Sequence, residues 1–229
     1  MRTTIAELLG LYGETVDAVV QQVIDAYFPQ TIPIRGPSTI HEWKIWLGWR
    51  TTILTRHPHI VAFENAPDHL LYHEILHLHR IKIEGAPLLR PAPFNAASEE
   101  LAYRLNNDLE HLLIIPKEFE QFPEAAGYWN WSQKNYLAYC ETKEYKNELD
   151  VFNFAMSYLV SKTVFQDPST SMGAAKFLEE ADILHEIEAL RQGFLAEPTS
   201  KVEIANAILE ACGVNGFKVE AMRFDPKGN

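Results

Sequence analysis

Two imidazoles and a carboxylate stand within five residues at His73-Glu74-Ile75-Leu76-His77. On an α-helix a four-residue step turns the side chain by only about 40°, so His73 and His77 project from one face, one turn apart, where one metal ion can bind both. Glu74 lies about 100° further round. That offset keeps it off the chelating face yet beside it, where a general base must be to take a proton from a metal-activated water. The pattern therefore implies a Zn2+ cofactor, His73 and His77 as metal ligands, Glu74 as the catalytic base, and metal-assisted hydrolysis as the chemistry. With nine His in 229 residues, chance supplies the same pattern in roughly a few of every hundred comparable chains. The chain holds its own control: His185-Glu186 is a second His-Glu pair, but Ala189 stands where the second His is needed, so that copy reads as helix surface.

The helix that must carry these groups is legible around them. Leu70, Leu71, Ile75, Leu76 and Leu78 are apolar where a solvated helix would carry charges, so the motif helix is expected to be buried. Asp68, after Pro67, is placed to cap its start one turn before His73. Core histidines that bond one another or a carbonyl are the competing reading. Burying three ionisable groups costs several kcal/mol unless something neutralises them, and a metal ion does so.

Two His do not complete a catalytic zinc site, which normally has three protein ligands and an open position. The next helix is expected over 96–115, capped by Asn95 and stopped by Pro116, with Leu101, Leu105, Leu109 and Leu112 as its apolar stripe. At about 100° per residue, Glu100, Asn107 and His111 fall within roughly 40° of one another, a polar line with Arg104 among them. Glu100 and His111 are the candidate third ligands. Asp108 and Glu110 also offer oxygen, but a run of charges on one helix usually marks a solvated face.

These two segments resemble the metal core of the ImmA/IrrE type of bacterial zinc metallopeptidases, within the HExxH zincins, over residues ~60–116. In that family His-Glu-x-x-His is followed by a helix with an Asn and an apolar run ending in Pro; here the helix reads from Glu100 to Pro116, and Asn107 falls on the family's Asn. The family's ligand Glu falls on Leu105, which cannot ligate, so the third ligand has moved. The helix is also similar to that of related proteins in which the Asn is followed about a turn later by His or Asp. That likeness implies His111 as third ligand, with Glu100 as the alternative and Asn107 as a contact behind the metal or to substrate. It further implies a zinc-dependent metallopeptidase acting on a peptide or protein. The alternative is a zinc-stabilised, non-catalytic interaction or regulatory module in a bacterial defence or mobile-element setting.

Composition narrows the partners. A net charge of −11 argues against a nucleic-acid or anionic-membrane surface, since both need concentrated Lys and Arg. Cys140 and Cys212 are too far apart to suggest a disulfide framework or a Cys-x-x-Cys site. Residues 1–28 mix Glu7, Glu14 and Asp17 with apolar residues at helical spacing, unlike a signal peptide, and no apolar run approaches the ~18 residues of a membrane span. A cytoplasmic location is the expectation.

The elements that must position the site follow. A helix over 1–28 precedes a proline-rich connection at 29–37. Residues 40–55, with Trp43, Trp46 and Trp49 at three-residue steps, read as more helical than extended, although the run Thr51 to Leu54 leaves a strand open. His57 and His59 read as loop residues before a strand at Ile60-Val61-Ala62-Phe63. Beyond Pro116, helices are expected over 144–161, over 172–194, and from a cap at Thr199 or Ser200 to about Cys212, with a strand over 217–224. The expected fold is α+β, mainly α: a zincin-like metal core of short sheet, motif helix and ligand helix, with a helical C-terminal half. Residues 1–120 would form the core with its N-terminal helix, and 121–229 the helical region packed on it.

Overall fold

In a computed structural model, the protein is described over residues 67–141, 147–164 and 168–222, with short segments at 3–4, 18–19, 21–23, 33–35, 46–47 and 60–61. The fold is α+β and mainly α. It comprises two compact units, the first drawn from Met1–Ala86, Lys117–Ala125 and Asp225–Asn229, the second from Pro87–Pro116 and Ala126–Phe224. No helix among the described residues is long and apolar enough to cross a membrane. His57 and His59 lie outside the described residues.

The first unit contains a short sheet of β1 (Thr3–Thr4), β2 (Pro33–Arg35), β3 (Trp46–Leu47) and β4 (Ile60–Val61) in the order β1-β2-β4-β3. The β2/β4 pair is parallel and the others antiparallel. The helical expectation for 40–55 is corrected at Trp46–Leu47. These residues pair antiparallel with Val61 and Ile60 as a strand. The motif helix α1 (Asp68–Lys82) contacts β3. Tyr72, Ile75, Leu76, Leu78 and Ile81 are buried along it, so it is core on several sides. His79, Arg80 and Lys82 fill its last turn, where positive charge suits the helix dipole. Gly85, at φ 72°, turns the chain back so that the Ala86 N–H bonds the Arg80 carbonyl at 2.9 Å.

Helix α2 (Ala96–Gln121) opens on a reciprocal cap: the Ser98 N–H donates to Asn95 Oδ1 at 2.9 Å and the Asn95 N–H to Ser98 Oγ at 3.0 Å. Its end departs from expectation. The helix runs through Pro116 to Gln121, although an internal proline removes one hydrogen bond and crowds the preceding turn at a cost of about 3 kcal/mol. The extra turn is held by Glu118, a fully buried carboxylate with two imidazole partners.

In the second unit β5 (Leu88–Ala92) pairs antiparallel with β6 (Lys218–Met222), from Leu88↔Met222 to Ala92↔Lys218. The helices are α3 (Ala125–Glu141), α4 (Glu148–Val164), α5 (Pro168–Glu180), α6 (Leu184–Ala196) and α7 (Lys201–Ala211). Helix α3 was not foreseen. The single helix expected over 172–194 is two, because Asp182 takes a left-handed φ of 58° and the Ile183 N–H closes α5 on the Leu178 carbonyl. Asp is among the few residues besides Gly that tolerate this conformation. Helix α4 begins at Glu148 and not 144, since Asn147 Oδ1 caps it by accepting from the Leu149 N–H at 2.9 Å. Phe154 of α4 stacks on Phe177 of α5 at 3.8 Å. Cys212 is a free buried thiol, and burial pushes its pKa up to about 12, which makes it unreactive.

Two charged groups organise this unit. Lys201, fully buried, donates from Nζ to Glu110 Oε1 at 2.6 Å, Asn106 Oδ1 at 2.7 Å and the Pro87 carbonyl at 3.1 Å. Removing the cation leaves a buried carboxylate without its charge partner, so Lys201→Ala should destabilise the protein by about 3–5 kcal/mol in urea unfolding, and Lys201→Met/Glu110→Leu by much less. Equal losses would show that the charge pair is not the cause. On α6, Glu188 accepts hydrogen bonds from Arg191, at 2.7 and 2.9 Å, and from Gln192 and the Tyr158 hydroxyl, both at 2.9 Å. The Arg191 bonds lead in holding its carboxyl down at about 2. The folded-state pKa lies below the ordinary 4.5, so the contribution is complete above that pH and disappears as pH falls toward 2. Because the pair is partly exposed the effect should be only about 1 kcal/mol. Glu188→Gln should lower the urea midpoint at pH 7 and converge with wild type near pH 2.

Candidate metal centre

The geometry of α1 brings its histidines into register. His69, His73 and His77 follow one another at four-residue steps along one side of the helix. The rings of His73 and His77 meet edge to face with centroids 4.9 Å apart. The third member comes from α2: donor nitrogens of His73, His77 and His111 lie within 4.8 Å of one another. All three residues are buried, at 4 %, 1 % and 8 % exposure.

The protonation pattern suits a metal. His73 Nδ1 is 2.8 Å from Glu118 Oε2, and His69 Nδ1 is 2.7 Å from Glu118 Oε1. A carboxylate can only accept, so each Nδ1 carries the proton and donates it, which leaves the lone pair of His73 on Nε2. His111 Nδ1 lies 3.5 Å from the Asn107 amide nitrogen and 3.7 Å from Asp108 Oδ1. Its ring stands edge-on to Trp129 at 5.2 Å. Zn–N bonds of about 2.0–2.1 Å allow two ligands to stand at most about 4.1 Å apart, so any pair near the upper bound is drawn inward on binding. The donor set of three imidazoles fits Zn2+ and leaves a coordination position for another ligand.

The remaining candidates fall as follows. Glu74 is buried at 5 % exposure on α1, about 100° round from His73. Asn107 is half-buried and reaches His111. Glu100 is exposed and lies eleven residues before His111, about 16 Å along the helix axis, outside the three-histidine cluster. Tyr136 lies under the Arg104 guanidinium at 4.9 Å, and Tyr103 is half-buried on α2. His79 bonds Gln22 at 2.9 Å and pairs with Glu84, which gives it a structural place.

Sequence reasoning missed His69 and Glu118. A signal for each was present: His69 repeats the four-residue spacing one turn before His73, and Glu118 comes two turns after His111. Taking Pro116 as a helix stop removed Glu118 from consideration. Comparison with protein-family models, with curated proteins and with solved structures returns no match to this chain.

Protein purified without chelator should contain about one Zn per chain by elemental analysis. His77→Ala and His111→Ala should each lose most of it, while Glu100→Ala retains it. Equal trace metal in wild type and His77→Ala would remove the metal assignment, and loss in Glu100→Ala alone would move the site toward the start of α2.

Proposed function

We propose that the protein is a zinc-dependent metallopeptidase that hydrolyses peptide bonds. The observation that carries this reading is the buried cluster of His73, His77 and His111 with Glu74 beside it on α1. His73, His77 and His111 would hold Zn2+, and Asn107 stands one turn before His111, placed to contact that imidazole or the substrate. Bound there, Zn2+ would polarise the scissile carbonyl and acidify a water. Glu74 takes the proton released by that water and delivers it to the departing amine, so one carboxylate serves as base and then as acid. The kinship to the ImmA/IrrE type and a peptide or protein substrate are part of the same proposal and rest on the sequence motif.

The deep burial of all three histidines favours a second reading, a zinc-stabilised interaction module without turnover. The two differ at the metal. A structural site is closed by four protein ligands, whereas a catalytic one keeps a position for water.

Glu74→Gln retains shape and removes the base. Zinc content should stay at the wild-type level while hydrolysis of a peptide library, followed by mass spectrometry, falls by roughly 10²-fold or more. An equally active variant excludes the role given to Glu74. A variant that loses zinc makes Glu74 a ligand, and wild type with tightly bound zinc but no cleavage of any peptide supports the interaction module.

A further inference from the structure

The metal reading leaves Glu118 and His69 without a task, although both are deep in the first unit. Glu118 is fully buried, and each of its oxygens is occupied by an imidazole of α1, Oε1 by His69 at 2.7 Å and Oε2 by His73 at 2.8 Å. The two histidines are one helical turn apart, so the carboxylate spans them side by side. This grip is made by a turn of α2 that lies beyond Pro116, where the helix would be expected to end. The turn is closed by the Phe122 N–H on the Glu118 carbonyl at 2.7 Å, and Phe122 packs against Tyr72 of α1 with ring centroids 5.6 Å apart.

We propose that Glu118, clamped in place by His69, is a positioning residue that holds His73 as an Nε2 ligand and thereby sets how tightly the three-histidine site binds metal. This rests on the metal-site reading but not on peptidase activity. Two effects act together at His73. Accepting the Nδ1 proton locks the tautomer in which Nε2 keeps its lone pair, and the negative charge behind the ring makes that nitrogen a stronger donor. His69 acts one step further back. A carboxylate held by a single imidazole can swing about its terminal torsion; with its second oxygen held by His69, the plane of Glu118 is fixed, and with it the ring of His73. Glutamine cannot replace this group. Its oxygen accepts from one imidazole, while its NH2 meets the Nδ1–H of the other and forces a ring flip or tautomer change.

The test uses full-length protein with Zn2+ alone, its dissociation constant measured by competition with a chelating indicator, and the visible spectrum of Co2+-substituted protein as a report on ligand geometry. Glu118→Gln should bind zinc roughly 10- to 100-fold more weakly than wild type and shift the cobalt bands. His69→Ala, which leaves the Glu118–His73 bond in place, should weaken zinc by a smaller factor and shift the same bands. Thermal melting of the metal-free proteins separates packing from positioning. A lowered melting temperature with wild-type zinc affinity and cobalt spectrum in Glu118→Gln overturns the proposal. Should Glu118→Gln fail to fold, His69→Ala decides alone, and wild-type affinity and spectrum in that variant overturn it equally. Wild type that binds no zinc removes the metal reading itself, whereas tight wild-type binding that neither variant alters removes only this inference.

Discussion

An imidazole can hold a metal only while the nitrogen facing the ion keeps its lone pair, and a buried imidazole keeps a fixed tautomer only if its other nitrogen has a partner. At His73 that partner is Glu118. Much of the local architecture is arranged around this one hydrogen bond. Helix α2 continues through a proline to present the carboxylate, α1 places a second histidine where it can hold the other oxygen, and Tyr72 and Phe122 pack beside the pair. A buried carboxylate with no donors would cost more than the turn gains. With two charge-assisted bonds it becomes the reason that the turn exists.

A comparable constraint governs α2 in the second unit. Lys201 and Glu110 are both fully exclusive of solvent, and ion pairs of this kind rarely add net stability, because the cost of removing two charges from water offsets their attraction. What they add is orientation. Asn106 and Glu110 stand one turn apart on α2 and share the same ammonium, so the helix cannot rotate about its axis without breaking both bonds. Leu105, Leu109 and Leu112, all buried, set the same rotation through packing. His111 follows Glu110 in the chain, so its direction is determined on either side by contacts that have no tolerance for a shift of one residue.

The parts of this arrangement that sequence disclosed are those governed by short-range rules. A helix with His73 and His77 on one face, its burial among leucines, the Asn95 cap and the polar line through Asn107 and His111 follow from local spacing alone. Where long-range contacts overrule local preference, the reading failed. Pro116 is a helix breaker by itself, and contacts brought by α1, the imidazoles on Glu118 and the Tyr72 ring against Phe122 among them, offset it. Asp182 splits an apolar periodic stretch that looks continuous, because periodicity reports which residues face the core and not whether the backbone between them stays helical. Strand β5 carries Pro91 in a proline-rich stretch with little strand preference of its own, and it becomes a strand through pairing with a partner some 130 residues away. Lys201 sits at the start of a helix, where a lysine would ordinarily be taken as solvated, and nothing near it in sequence reveals Glu110.

The same distinction bears on the proposed metal centre, where an imidazole and not a carboxylate would be the third ligand. With Leu105 fully buried in the apolar stripe, a ligand from that position would have to leave the core. His111 lies about 120° away from it on α2 and is longer than Asp, so it reaches the other two imidazoles without altering the stripe. Exchanging a carboxylate for an imidazole also changes the charge. Two neutral histidines and a carboxylate neutralise half of a divalent ion's charge, whereas three histidines neutralise none of it. The compensation must then come from groups behind the ligands, and buried carboxylates are the efficient source, since a charge in low dielectric is felt across a ring width. Glu118, fully buried behind His73, stands in that place, with the half-buried Asp108 near His111. Under the proposed reading, a metal held by these three histidines would rely on acidic residues one layer out, for electrostatic balance as well as for orientation.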